Sequence, residues 1–300
     1  MAEAREEAAM EICLITGTST GIGHATALHL ARQGYKVYAT MRNTAKAGPL
    51  QDLAKAENLN LVIDSLDVTD NQSMADCVAR IIAVEGRIDI LINNAGLSNS
   101  SPVETYPEDE HRTLFEANYF GPVKLTQAVL PGMRERQHGA IINISSLLGQ
   151  IAWANQAAYC ASKFAMEAFS EALAQEVAPF GIRVAIIQPG VTASAIFDNT
   201  PVHYDRASPY KPAMRRNGRF YSVGIADATP AARVSEVIGD ALLADRPKLR
   251  HPIGFGAQAI ARRAAMNDEK FIALGAMADP DYYQALREEL DLELDLEPGA

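Results

Sequence analysis

The sequence predicts an α/β fold: a single domain built on a doubly wound parallel sheet. Three observations carry that prediction. Short apolar runs recur with helical stretches between them. A glycine-rich turn joins the first run to the first helix. The runs end in small or polar residues, as strands do at the sheet edge where α/β folds bind ligands. Size and charge narrow the class further. Three hundred residues, 48% of them hydrophobic, can bury one large core. A net charge of −10 with no basic stripe argues against nucleic acid as a partner. Residues 1–14 are acidic and lack the apolar segment of a secretory signal, and no run reaches membrane-spanning length, so a soluble cytoplasmic protein is expected. The scattered Cys13, Cys77 and Cys160 read as buried thiols, and the histidines show no metal-ligand spacing, so no metal is expected.

Taken in order, residues 1–10 read as a flexible tail and 12–15 as a strand. The strand runs into Thr16-Gly17-Thr18-Ser19-Thr20-Gly21-Ile22-Gly23, and a helix follows as far as Gly34. Strand, glycine turn and helix N-terminus build a Rossmann-like cradle for a pyrophosphate, because glycine alone lets the backbone approach the phosphates. A second strand at 35–40 ends in Met41-Arg42-Asn43. The acid that takes ribose hydroxyls in NAD sites is missing there, and Arg42 suits a 2′-phosphate, which favours NADP.

A helix over 44–57 leads to a strand at 61–66, which ends in Asp67-Val68. A helix over 71–85, capped by Asp70 or Thr69, precedes a strand at 87–92 and the turn Asn93-Asn94-Ala95-Gly96. A long helix over 107–135 carries Asn118, with Gly121-Pro122 soon after it, and a kink is expected there. The strand at 140–144 delivers Ser145 and Ser146 to its ligand-binding end. A helix from about 156 to 180 puts Tyr159 and Lys163 on one face. An ammonium beside a phenol should pull its pKa down from about 10, making Tyr159 a proton donor or acceptor near neutrality.

The strand at 182–187 stops at Gln188-Pro189-Gly190. Residues 191–229 show no clean period and read as a substrate lid offering Phe197, Tyr204, Tyr210, Phe220 and Tyr221. A helix over 231–245 and a strand near 248–253 complete a dinucleotide-binding catalytic domain at 11–255. Residues 256–300 read as a peripheral helical extension with an acidic end.

From about residue 11 to 255 the chain resembles the short-chain dehydrogenase/reductase family. The matching pieces are Thr16-Gly-x-x-x-Gly21-Ile22-Gly23, Asp67-Val68, Asn93-Asn94-Ala95-Gly96, Asn118, Ser146, Tyr159-x-x-x-Lys163 and Pro189-Gly190. The resemblance implies Tyr159 as general acid/base, Lys163 on the nicotinamide ribose, and Ser146 (thirteen residues before the tyrosine) orienting the substrate oxygen. It implies that Asn118 holds a proton-relaying water and that Gly17, Ser19, Gly21, Ile22 and Gly23 cradle the phosphates. Asp67 and Val68 would meet the adenine, Asn94 would support the pocket, and Val191 and Ser194, following Pro189, would flank the carboxamide.

The segment 37–43 and the strand end at 250–254 resemble the steroid and retinol dehydrogenase-like branch. The family resemblance implies NAD(P)-dependent hydride transfer by a homodimer or homotetramer, and the branch likeness implies an apolar ketone or secondary alcohol (steroid-, retinoid- or polyketide-like) as substrate. A catalytically silent dinucleotide sensor on the same fold is the alternative.

Overall fold

The structure, a computed structural model, describes residues 10–194, 196, 200–203, 207–244 and 248–294. The expected tail at 1–9 lies outside the described residues, as do Phe197 and Tyr204. Seven parallel strands form one sheet in the order β3-β2-β1-β4-β5-β6-β7. They are β1 (Ile12–Thr16), β2 (Lys36–Met41), β3 (Leu61–Ser65), β4 (Ile90–Asn93), β5 (Gly139–Ile144), β6 (Ile182–Pro189) and β7 (Arg250–Ile253). This is a Rossmann-like doubly wound sheet, and the order of connection reverses between β1 and β4. That reversal opens a crevice at the carboxyl ends of the two strands, where such sheets bind ligands.

Strand periodicity divides the core. Cys13 and Ile15 of β1 face one side, packed with Leu30 of α1 (Gly21–Arg32) and with Val234 and Ile238 of α8 (Ala231–Leu243). Ile12 and Leu14 face the other side, packed with Ile81 of α3 (Asn71–Glu85), Val129 of α5 (Gly121–Arg136) and Leu173 of α6 (Ala157–Val177). With helices on both faces, the central strands are apolar throughout rather than alternating. All three cysteines are free and buried, as read from the sequence.

Four expectations need adjustment. The helix read over 44–57 is a 3-10 turn, Thr44–Ala47, followed by α2 (Gly48–Ala56). The long helix at 107–135 is α4 (Glu108–Phe115) joined to α5 through a π-helical turn, Glu116–Phe120, which carries Asn118 at the expected kink. The segment read as irregular over 191–229 contains a sixteen-residue helix, α7 (Lys211–Ala226). The C-terminal extension, α9 (Ala259–Ala265), α10 (Asp268–Leu274) and α11 (Asp279–Leu290), is not peripheral. Its Tyr282, Tyr283, Leu286 and Leu290 join Trp153, Phe220 and Val191 in a third apolar cluster.

Candidate active site

At the end of β1 the backbone turns sharply, with Gly17 at φ +72° and Gly21 at φ +60°. A Cβ on Gly17 would lie 2.8 Å from Ala95 Cα, and one on Gly23 would lie 2.4 Å from Asn94 Nδ2, so both positions need glycine. Asn94 holds this turn. Its Nδ2 donates to Thr16 O at 2.8 Å and to Gly17 O at 3.0 Å, and its N–H donates to Thr16 Oγ1 at 3.0 Å. Ser194 closes over the cradle, with Cβ 3.0 Å from where a side chain on Gly21 would begin.

A cavity of about 590 Å³ runs from this cradle in both directions along the sheet edge. It brings together Gly17, Ser19, Gly21, Ile22, Arg42, Asp67, Val68, Asn94, Ser146, Tyr159, Lys163, Pro189, Val191 and Ser194. Gly23 and Asn118 stand one layer behind, supporting the wall rather than lining it. At the β2 end sits a residue the sequence reading missed: Lys46, in the 3-10 turn, lines the cavity with Arg42. Neither cation makes a side-chain hydrogen bond or ion pair among the described residues, and both are exposed. Asp67 is turned inward on its own loop, accepting from Thr69 N at 2.9 Å and Thr69 Oγ1 at 2.7 Å.

At the other end, Ser146 leaves β5 extended and caps a short 3-10 turn, Leu147–Gly149, accepting from Leu148 N at 3.1 Å. The main-chain acceptor of its hydroxyl among the described residues, Pro189 O, is 3.5 Å away, so the hydroxyl proton can swing toward the cavity. Tyr159 lies in the first turn of α6, which Gln156 fails to cap. Buried Asn99, which the sequence reading did not flag, supplies the missing acceptor: its Oδ1 takes Tyr159 N–H at 3.0 Å. One turn on, Lys163 Nζ donates to Ile144 O at 2.8 Å and sits 5.7 Å from the Tyr159 ring centre.

This geometry corrects the electrostatic expectation. Burial pushes the Tyr159 phenol up to about 12, with a hydrogen bond to Ser146 pulling the other way; Lys163 does not depress it. The lysine instead bonds a carbonyl, and its own burial lowers it to about 8, with Glu167 opposing the fall. Tyr159 keeps partial contact with the cavity, which tempers the effect of burial on its phenol.

Asn118 is fixed by a double exchange with Leu97: Leu97 N–H donates to its Oδ1 at 2.8 Å, and its Nδ2 donates to Leu97 O at 2.9 Å. Its Nδ2 also reaches Ser162 Oγ at 3.0 Å, so the side chain is fully engaged. What Asn118 can offer a water is its main-chain oxygen, which receives no α-helical N–H because the residue four ahead is Pro122.

Phe220 and Tyr221 of α7 line the remaining wall. The Phe220 ring lies 5.2 Å from Trp153 and 5.6 Å from Phe255. Below them the C-terminal helices complete the apolar cluster that backs this end of the cavity, where Leu147, Leu148, Val191 and Phe220 line the wall together with the hydroxyls of Ser145, Ser146, Tyr159 and Tyr221.

A family model described as short chain dehydrogenase matches residues 11–204. A 3-ketodihydrosphingosine reductase of Bacteroides thetaiotaomicron is 43% identical over 189 residues, covering 63% of this chain and 66% of that relative. Retinol dehydrogenase 8 of Bos taurus is 38% identical over 256 residues, 79% of each chain. In three dimensions, the crystal structure of a short-chain dehydrogenase from Streptomyces avermitilis superposes with a TM-score of 0.78 at 34% identity, covering 92% of this chain and all of that one. With that sheet, that cradle and those relatives, the chain belongs to the short-chain dehydrogenase/reductase family, the oxidoreductases of the steroid- and retinol-dehydrogenase-like branch included.

Proposed function

We propose that the protein is an NADP-dependent oxidoreductase that reduces an apolar ketone to a secondary alcohol, or runs the reverse reaction. The observation that carries this reading is the convergence of the Ser146 and Tyr159 hydroxyls and the Lys163 ammonium at one end of a cavity whose other end presents Arg42 and Lys46, unpaired among the described residues. A nicotinamide dinucleotide fits the residues present. Gly17 and Gly21 take positive φ to shape the turn, Gly23 lets it pack on Asn94, and the N-terminus of α1, which opens at Gly21, would face the phosphates. Arg42 and Lys46 would hold a 2′-phosphate, Asp67 and Val68 the adenine, and Val191 and Ser194 the carboxamide edge.

When bound, a nicotinamide would supply or accept the hydride. Ser146 Oγ orients the carbonyl oxygen, and Tyr159 Oη passes its proton to that oxygen as the bond to carbon forms. Lys163 would hold the ribose and keeps positive charge beside the phenol. The Asn118 main-chain oxygen anchors a water through which Tyr159 recovers its proton. The described part of the 191–229 segment, α7 with Phe220 and Tyr221, closes over the substrate as a lid. Its apolar rings select against charged substrates, since burying one such ring against ligand is worth roughly 1.5–3 kcal/mol. The complete Asn118, Ser146, Tyr159 and Lys163 set favours turnover over a silent dinucleotide sensor. Three unpaired buried thiols suit a reducing compartment such as the cytoplasm, and no helix among the described residues is long and apolar enough to cross a membrane.

A panel of ketones and secondary alcohols, graded in size and polarity and followed by NADPH absorbance, tests the reading. Turnover should concentrate on bulky apolar ketones. Tight NADPH binding with no turnover across the panel would favour the sensor.

A further inference from the structure

Glu167 is a carboxylate with 5% of its side chain exposed, one helical turn beyond Lys163 on α6. Three bonds reach it from three different places at the sheet edge. Gln188 Nε2 at the end of β6 donates to Oε1 at 3.0 Å, Arg250 Nε of β7 donates to Oε2 at 2.9 Å, and Gln150 Nε2, beyond β5, donates to Oε2 at 3.3 Å. Arg250 also pairs with Glu171, the next residue along this face of α6. The turn that carries Ser146 is pressed against the same carboxylate: a Cβ on Gly149 would lie 3.1 Å from Glu167 Cγ and 2.5 Å from Ser145 Oγ.

Burying a carboxylate is costly, and replacing a buried ion pair by apolar residues is often neutral or better, so the Arg250 pair alone does not account for the charge. What distinguishes the site is its position between two pieces of the active site, the Ser146 turn and Lys163. Residues four apart on a helix are neighbours, and a buried ammonium needs a counter-charge in reach. Besides Glu167, the groups facing Lys163 are the Ile144 carbonyl and the Tyr159 ring. Those facing Glu167 are Arg250 from β7, Gln188 from β6, Gln150 from the turn and Glu171 on its own helix.

We propose that Glu167 is a positioning residue of the active site, whose carboxylate supplies the counter-charge one helical turn from Lys163 and fixes the turn that presents Ser146. The catalytic consequence rests on the oxidoreductase reading; the charge relationship between Glu167 and Lys163 does not. Burial drives the lysine toward its neutral form, and Glu167 is the group that opposes it.

Two variants separate this role from a merely structural one, because both break the same ion pair while removing opposite charges. Glu167→Gln and Arg250→Gln are compared with the full-length wild type by lysine-labelled heteronuclear NMR, with Lys163→Met assigning the signal. In Glu167→Gln the Lys163 titration should move down by about one pH unit, and the alkaline fall of ketone reduction should move with it. In Arg250→Gln the titration should stay or move up. Should Glu167→Gln not fold, the neutral double variant Glu167→Gln/Arg250→Gln takes its place, with the Lys163 titration again below wild type. Movement in the same direction in both single variants, or an unmoved Lys163 in the carboxamide variant, overturns the proposal. If no ketone is turned over, the oxidoreductase reading fails, and the NMR titration still decides the role of Glu167.

Discussion

Arg216 of α7 is fastened to the C-terminal extension through Tyr282 and its neighbours. Its guanidinium carbon lies 4.2 Å from the Tyr282 ring centre, and its Nε donates to Asp279 Oδ1 at 2.8 Å. It also donates to the Gly275 and Met277 carbonyls. A buried arginine with this many acceptors pins α7 to the end of α10 and to α11. Arg216→Ala should destabilise the protein by about 1–3 kcal/mol, read as a lower unfolding midpoint. Asp279 keeps Arg215 as a partner, which limits the loss. The same variant should raise KM for the best ketone more than it weakens NADPH binding. Equal effects on both would mean that α7 does not face the substrate.

On the proposed reading, Arg42 and Lys46, which have no side-chain partner among the described residues, should set the cofactor preference. Each replaced by alanine should weaken NADPH binding about tenfold, roughly 1.4 kcal/mol, with NADH binding unchanged. Both are exposed, so the losses should shrink in high salt. Fluorescence titration with the two dinucleotides measures this. Equal losses for NADH and NADPH would assign the two cations elsewhere.

Activity should depend on pH through Lys163. Its ordinary value of 10.5 is lowered to about 8 by burial, so the ammonium is lost as pH rises through about 8. Ketone reduction should be flat below that point and fall above it by about tenfold per pH unit. Tyr159, held up near 12, stays a proton donor throughout and favours the reductive direction near neutrality. Because the folded value of Lys163 lies below its unfolded one, the group costs stability at neutral pH, and the cost fades between about pH 8 and 10.5. A rate that climbs through pH 8 would assign the lysine a different role.

A homo-oligomer should form through α5 and α6. On α6 an exposed stripe of Ala157, Ala161, Phe164, Ala168 and Ala172 would let a second copy approach closely, and Phe120 is exposed at the start of α5. Light scattering at micromolar concentration should give a dimer or tetramer, and Ala168→Arg should reduce its mass. A monomeric wild type would exclude this face as the interface.

Much of this architecture was legible because its signals are local. Runs such as 12–15 and 140–144 are strands buried on both faces, and the glycines at 17, 21 and 23 answer a geometric demand that no other residue meets. Tyr159 and Lys163 share a helix face by spacing alone. What escaped depends on distant partners. Helix α7 buries Arg216 and Asn217 beside Met214 and Phe220, so its inward face breaks the apolar period that would reveal a helix. Those polar residues are tolerated because Asp279 lies 63 positions away and Ser100 117 positions away, separations no local pattern encodes. The C-terminal extension looked peripheral for the same reason: its apolar face completes a cluster begun by Trp153 and Val191. Asn99 was invisible as a cap because it serves a helix sixty residues on. The lowered tyrosine pKa failed as an expectation because spacing says nothing of where an ammonium points; Ile144 O takes Lys163 instead.

The most direct test compares the wild type with Tyr159→Phe on the best ketone of the panel, with NADPH binding measured on both. The ring still packs against the same wall, so binding should stay within about twofold. The lost proton donor should lower the reduction rate by at least about 10²–10⁴-fold. A variant that binds NADPH normally and reduces the ketone within threefold of the wild-type rate would contradict the assignment of Tyr159, and with it the account of this site.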